Sequence, residues 1–261
     1  MKRVVSLAVL VTIVLGMSLL LALSGQSFYP SENLRWLAIV YLNTTYNPYL
    51  PDFTVWSPES VTAIVWDYRG LDTLYETTVF YLAIIAGLAL GRGVKRLNRK
   101  PTDESGLSPI VKTVTKITGP MILAVAASIG LHGHLTPGGG FQGGATAAVV
   151  PVVFIVVFSS FYLLWKGVSS QRMLTLRSAG LIGIGLTSIA LFLAGLLLGL
   201  PSYVFQNIAK AGSPLSMPYD VHGALLSGTL WWFNLFEFLA VSSGFTLAFI
   251  ILMTPEAEEK W

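Results

Sequence analysis

Three carboxylates stand in this sequence where apolar runs of membrane length would ordinarily carry none. Asp72 and Glu76 are four residues apart, hence on one face of a helix, and Arg69 precedes Asp72 by three. Residues 77–91 are uncharged and cover about 22 Å as a helix, short of a hydrocarbon core of about 30 Å, so Glu76 is expected inside the membrane boundary. Glu237 follows Asn234 by three residues and has 14 uncharged residues before it and 16 after, so it reaches neither surface. An acidic side chain persists at such depth when it is paired, protonated or hydrated, and neighbouring carboxylates resist ionising together, which suits relay of a proton or a cation. The competing readings are an interfacial cluster of Arg69, Asp72 and Glu76 that holds a helix end, and a protonated Glu237 bonded to a neighbouring helix.

Other titratable groups offer related chemistry. Lys112, Thr115 and Lys116 share a face near the start of an apolar run. Lys112 is placed to snorkel to the interface, whereas Lys116 is deeper and reads as a buried lysine able to give up its proton. His132 and His134 point to different sides of a helix, and with no third ligand nearby they do not make a zinc site. His134 reads as a gating or proton-exchange group, or else as a cap on a carbonyl; His222, beside Gly223, carries the same two readings.

Between positions 133 and 144 six glycines and Pro137 interrupt two apolar runs. Main-chain groups freed by Gly138, Gly139, Gly140, Gly143 and Gly144 find no water in hydrocarbon, so this break must be covered by protein or line a wet cavity.

The elements that must position these groups are legible from composition. Of 261 residues 54% are hydrophobic and 11% charged, and mean hydropathy is +0.69, values of an integral membrane protein. Six apolar runs, at about 4–23, 71–90, 110–131, 145–165, 176–200 and 229–253, predict an all-α polytopic protein with about six transmembrane helices. The first run exceeds the usual apolar core of a secretory signal and is expected to remain as a helix. Cysteine is absent, which excludes disulfides, thiolate metal sites and cysteine nucleophiles. Lys2, Arg3, the cluster Arg92, Lys95, Arg96, Arg99 and Lys100, then Lys166, Arg172, Arg177 and Lys260 fall on one side, against Arg35, Arg69 and Lys210 on the other. That asymmetry predicts cytoplasmic termini in a cell membrane and explains the basic pI of 9.1 without nucleic acid. Residues 92–107 have linker composition and divide a two-span part, 1–91, from a four-span part, 108–261. Residues 24–60 are expected to form an ordered external cap, with Ser57 and Pro58 starting a short helix that Gly70 interrupts. Small residues four apart, such as Ala179 and Gly183 or Gly195 and Gly199, predict close helix packing.

Two stretches carry a family resemblance. The run Gly133, His134, Leu135, Thr136, Pro137, Gly138, Gly139, Gly140, Phe141, Gln142, Gly143, Gly144 resembles the signature of the MnhB-type small subunit of the Mrp-type multisubunit Na+/H+ antiporters. The later Asp220, Val221, His222, Gly223, Ala224 and the span after it are similar to the same family. In the N-terminal part, Asp67, Arg69, Gly70, Asp72 and Glu76 match a pattern in the C-terminal segment of the large subunit of those antiporters. Tyr75 departs from it, standing where that pattern has glycine. Asn234 stands where many MnhB-type subunits carry aspartate, with Glu237 one turn onward.

The resemblance implies a small subunit of a cation/proton antiporter module, with Na+ and H+ as transported ions and no cofactor of its own. It implies other antiporter subunits and membrane lipids as partners. Such modules also occur in complex I-related membrane complexes, where the partners are hydrogenase-like or sulfur-reductase-like subunits and any redox catalysis is theirs. Glu76 is the foremost ion-path residue expected, followed by Asp72, Glu237, Lys116 and His134. The alternative is a purely structural subunit whose polar residues only join helices.

Overall fold

The computed structural model describes residues 2–25, 34–90 and 106–254, so the basic linker at 92–105 and Lys260 lie outside the described residues. Residues 1–40 and 41–261 form two compact units. The first contains α1 (Lys2–Gly25), apolar and long enough to cross a membrane over Leu7–Ser24, and the start of α2 (Trp36–Thr45).

In the second unit a short helix α3 (Ser60–Ala63) runs into a π-helical turn, Ile64–Tyr68, closed by an Arg69 N–H to Ile64 C=O bond of 2.9 Å. Then follow α4 (Gly70–Leu90), α5 (Pro109–Leu131), α6 (Gly140–Val157), the short α7 (Ser160–Trp165), α8 (Ser170–Leu198) and α9 (Thr229–Met253). A two-stranded antiparallel hairpin, Asp220–Val221 with Ala224–Leu225, precedes α9. Six helices among the described residues are long and apolar enough to span, and the chain is an all-α polytopic membrane protein.

Helix α9 is the axis of the bundle, because it packs along α6 and α8 and also meets α4 and α5. Glycines make those approaches possible. A β-carbon at Gly180 of α8 would stand 2.6 Å from the Phe236 carbonyl oxygen and 2.7 Å from the Ala240 nitrogen of α9. Around Trp66, which stacks on Phe233 with ring centres 4.4 Å apart, a buried cluster gathers Val55, Ala63, Ile184 and Leu230.

Some expectations change. The short helix is capped by the Glu59 side chain, which accepts from the Thr62 N–H; Ser57 instead donates through Oγ to the His134 carbonyl, 2.8 Å away. The fourth span begins at Gly140, inside the glycine run, and stops at Val157, with α7 continuing after Ser159. The fifth begins at Ser170 rather than near 176, which draws Arg177 into the bundle. Helix α2 has no counterpart in the sequence pattern, because ten residues carry too little apolar length to stand out.

Candidate functional site

The glycine run divides into two kinds of glycine. Gly138 and Gly139 have φ of +153° and +151°, values that side chains resist, and they turn the chain back at the end of α5. Gly140, Gly143 and Gly144 lie in the first turns of α6 and serve close approach. A β-carbon at Gly143 would stand 2.6 Å from the Gly130 nitrogen in α5, and one at Gly144 would stand 2.9 Å from the Phe238 carbonyl oxygen in α9. The opened main chain is therefore confined to residues 132–139, and the rest of the run is an interhelical seam.

Segment 54–62 closes this break from the N-terminal side. Thr62 Oγ1 donates to the Gly133 carbonyl at 2.7 Å, and the His134 carbonyl accepts from Ser57 Oγ and from the Glu59 N–H at 3.2 Å. Buried His134 lies 2.9 Å through Nε2 from the Leu225 carbonyl, which makes Nε2 the protonated nitrogen and leaves buried Nδ1 without a partner. Burial pushes the His134 pKa below 6.5, against the pull of that carbonyl. His132 closes α5 through its N–H to the Ser128 carbonyl.

Next to the turn lies a cavity of about 210 Å³ whose polar lining is Glu76, Glu237, Gln142, Asn234, Thr62 and Thr73, with Trp66 and Phe141 as walls. Glu237 is buried, 6% exposed, on α9; Glu76 is exposed on α4 and also borders a second, more apolar cavity of about 360 Å³ shared with Phe80 and Phe141. Asn234 Oδ1 accepts from the Gly140 N–H at 3.3 Å, while Asn234 Nδ2 is buried and makes no hydrogen bond within the chain; the buried Trp66 indole N–H and the Phe141 backbone N–H lie toward the Glu237 carboxylate. Two carboxylates, two amide oxygens and two threonine hydroxyls give oxygen ligands in the number that a hard, partly hydrated cation takes; the free Asn234 N–H suits water or an ionised carboxylate.

Among the five residues expected on an ion path, Glu76 and Glu237 are brought together here. Asp72 stands outside this cavity, exposed and paired with Arg69, whose Nε donates to Asp72 Oδ2 at 2.7 Å. Lys116 is not buried within the chain: it is exposed on α5, its ammonium 5.7 Å from the Phe158 ring centre. His134 joins segments beside the cavity rather than lining it. Of the remaining residues singled out, Gly138, Gly139, Phe141 and Asn234 line the cavity. Pro137 precedes the turn, and Gly70 opens α4 under the Phe205 ring. Asp67 faces away, toward Lys210; burial raises its carboxyl pKa to about 6, and Lys210 moderates that rise. His222 is exposed at the hairpin tip with φ +53°.

Sequence reasoning missed several residues. Gln142 and Trp66 lie within or beside the two motif stretches, but neither titrates, so no rule draws them out. Asn207 is buried and accepts through Oδ1 from the Thr229 N–H at 2.7 Å while Nδ2 donates to the Val55 carbonyl at 3.1 Å. Arg177, expected on the cytoplasmic flank, is 1% exposed, with its guanidinium 4.7 Å from the Phe80 ring centre and 5.0 Å from that of Tyr81. The depth argument that singles out Glu76 does not find it, because the uncharged residues 178–198 of α8 cover about 32 Å, enough to span the core without it. No cluster of three His, Cys, Asp or Glu fit to hold a metal ion occurs among the described residues.

Residues 110–247 match the family model described as a domain related to the MnhB subunit of Na+/H+ antiporters. An uncharacterized protein of Methanocaldococcus jannaschii is 27% identical over 198 residues, 70% of this chain and 69% of that protein. The structure of the membrane-bound sulfane sulfur reductase, an archaeal respiratory membrane complex, contains a chain 26% identical to this one. The two superpose with a TM-score of 0.66, over 98% of this chain and 99% of that one. A chain of the Mrp complex from a Dietzia species superposes with a TM-score of 0.58 at 19% identity, over 97% of this chain and 26% of that one, a likeness of fold.

Proposed function

This chain belongs to the family of domains related to the MnhB subunit of Na+/H+ antiporters, and from that membership we propose that it is one component of an antiporter module and lends two carboxylates to the path of Na+ or H+. The observation that carries the reading is the buried Glu237 sharing a cavity with Glu76 beside the turn at Gly138 and Gly139. A carboxylate can exchange a proton for Na+ where both reach it, and Glu76, exposed on the outside of α4, leads from the buried acid toward whatever neighbour covers that helix. The partners are other antiporter-type subunits in a hetero-oligomeric membrane complex. The likeness along the whole chain to a component of the sulfane sulfur reductase complex supports a respiratory complex whose redox chemistry resides in other subunits. The termini are cytoplasmic in this reading, with the carboxylate cavity toward the outer face, and residues 1–91 correspond to the C-terminal part of the large antiporter subunit.

The test is Na+-dependent proton movement in inverted vesicles carrying the intact complex. Glu237→Gln and Glu76→Gln should each lower it by about tenfold or more, with the complex assembled as in the wild type. Unchanged transport in both would leave the structural alternative, favoured by the side-chain bonds from Ser57 and Thr62 that join segment 54–62 to the α5–α6 turn.

A further inference from the structure

A third cavity, about 450 Å³, opens toward the other end of the bundle among α5, α6, α7, α8 and α9. Along α9 its lining runs from Phe238 to Thr246, so it begins one residue after Glu237 and extends about 12 Å along the axis away from it. Its size is that of a small-molecule site, roughly 300–1,000 Å³. The lining is hydrocarbon-like: Leu123, Val150, Phe154, Met173 and Leu239 supply apolar walls. The serine and threonine hydroxyls are turned back on their own helix, with Thr246 Oγ1 donating to the Ser242 carbonyl at 2.7 Å and Ser243 Oγ to the Leu239 carbonyl. Nothing on these walls asks for water.

The mouth has the opposite character. Lys166 is part of the lining, its ammonium 4.7 Å from the Trp165 ring centre and 5.7 Å from that of Tyr162. Tyr162 stacks on Phe158 at 4.4 Å, and Lys116 lies 5.7 Å from Phe158, so two lysines bracket one aromatic stack. No acidic residue lines the cavity, and among the described residues no carboxylate pairs with Lys166. Aromatic rings with lysines at the end of membrane helices mark headgroup level, and a lysine there attracts an anionic headgroup by about 1 kcal/mol.

We propose that this cavity binds an anionic membrane lipid, one hydrocarbon chain filling the apolar space and the phosphate meeting Lys166. The site is independent of the ion path. Its occupant joins α7 to the ends of α6 and α8, where the chain is broken at Ser159 and again after Trp165.

The full-length chain, delipidated in neutral detergent, is titrated with phosphatidylglycerol and with phosphatidylcholine of the same acyl chains and examined by native mass spectrometry. One phosphatidylglycerol per chain should be retained with about fivefold preference, and equimolar inorganic phosphate should not displace it. Lys166→Gln should abolish the preference while weak binding of both lipids persists, and Ala147→Phe, which puts a ring into the cavity, should abolish binding. Because Lys166 lies at the rim, its variant tests the proposal even if Ala147→Phe fails to fold. Equal retention of both lipids by the wild type, an unchanged preference in Lys166→Gln, or tighter binding of a neutral benzoquinone would each overturn it. In the intact complex a photoactivatable phosphatidylglycerol should cross-link within residues 162–176; a segment that cross-links only to neighbouring protein and never to the lipid would also overturn it.

Discussion

Glu237 rests on Gly140: a β-carbon at Gly140 would stand 2.7 Å from Glu237 Oε2 and 2.5 Å from the Asn234 carbonyl oxygen. The carboxylate can shift, but the carbonyl belongs to the backbone of α9 and cannot. Gly140→Ala should therefore force α6 from α9 and cost about 1–3 kcal/mol, read as a lowered thermal midpoint of the purified chain, with transport reduced in the complex. Gly87→Ala, where nothing stands within 4 Å of the new carbon, is the control and should be neutral or slightly stabilising. Equal midpoints for the two variants would mean that the α6–α9 seam yields at no cost.

That contact also shows how far the sequence could be read. Apolar length alone located every spanning helix, because burial in lipid demands about 20 apolar residues whatever the helix touches. The depth of Glu237 followed from its uncharged flanks. Which face of Glu76 met which face of Glu237 did not, since it depends on the crossing of α4 with α9, a tertiary fact. The glycines at 140, 143 and 144 suggested a break because intrinsic propensity disfavours glycine in helices; packing against Gly130 and Phe238 outweighed that propensity. Asn207 was illegible for the same reason: its partners Val55 and Thr229 are 152 and 22 residues away.

Asn207 holds the entry to α9. Its Oδ1 accepts from both the N–H and the Oγ1 of Thr229, satisfying an N-terminal donor of the helix that carries Glu237. Asn207→Ala should cost about 2–4 kcal/mol, a lost cap plus a buried carbonyl of Val55 left unpaired. Asn207→Asp keeps the acceptor for Thr229 but turns a carboxylate oxygen toward the Val55 carbonyl in a buried place, so its thermal midpoint should also fall below that of the wild type. A loss of about a few tenths of a kcal/mol in Asn207→Ala would remove Asn207 from the support of the site.

Two groups outside the spans, the buried His134 and the partly buried Asp67, give opposite pH dependences. Protonated His134 would put a second N–H into a buried place with no acceptor, and its folded pKa lies below 6.5. Its contribution to stability is complete above pH 6.5 and is lost as pH falls toward the lowered value. Asp67 has its pKa raised from 3.8 to about 6, so its contribution is complete below 3.8 and is lost as pH rises through about 6. Thermal midpoints between about pH 4 and 8 should separate them: His134→Gln should flatten the acid side, and Asp67→Asn should gain on the order of 1 kcal/mol at about pH 8. If Asp67→Asn loses stability at that alkaline end, the Asp67–Lys210 attraction exceeds the cost of burial.

Arg177 lies against the aromatic faces of Phe80 and Tyr81, and its Nε and Nη1 make no hydrogen bond within the chain. Stacking on rings contributes up to about 2 kcal/mol when desolvated, while removing a cation from water costs several. Stability alone would favour an apolar residue here. Arg177→Met should accordingly keep or raise the thermal midpoint, and Arg177→Lys, which loses the planar contact but keeps the charge, should lower it. Phe80 also packs with Phe141 and Phe245, the aromatic group at the edge of the carboxylate cavities, so the guanidinium stands behind that group as a fixed positive charge. In the proposed ion path a cation at Glu76 and Glu237 would meet repulsion beyond the aromatics, and removal of the charge should change Na+-dependent transport in vesicles even as the chain becomes more stable. A stability loss of about 3 kcal/mol or more in Arg177→Met would show instead that the guanidinium is held by a compensating partner and that its role is structural.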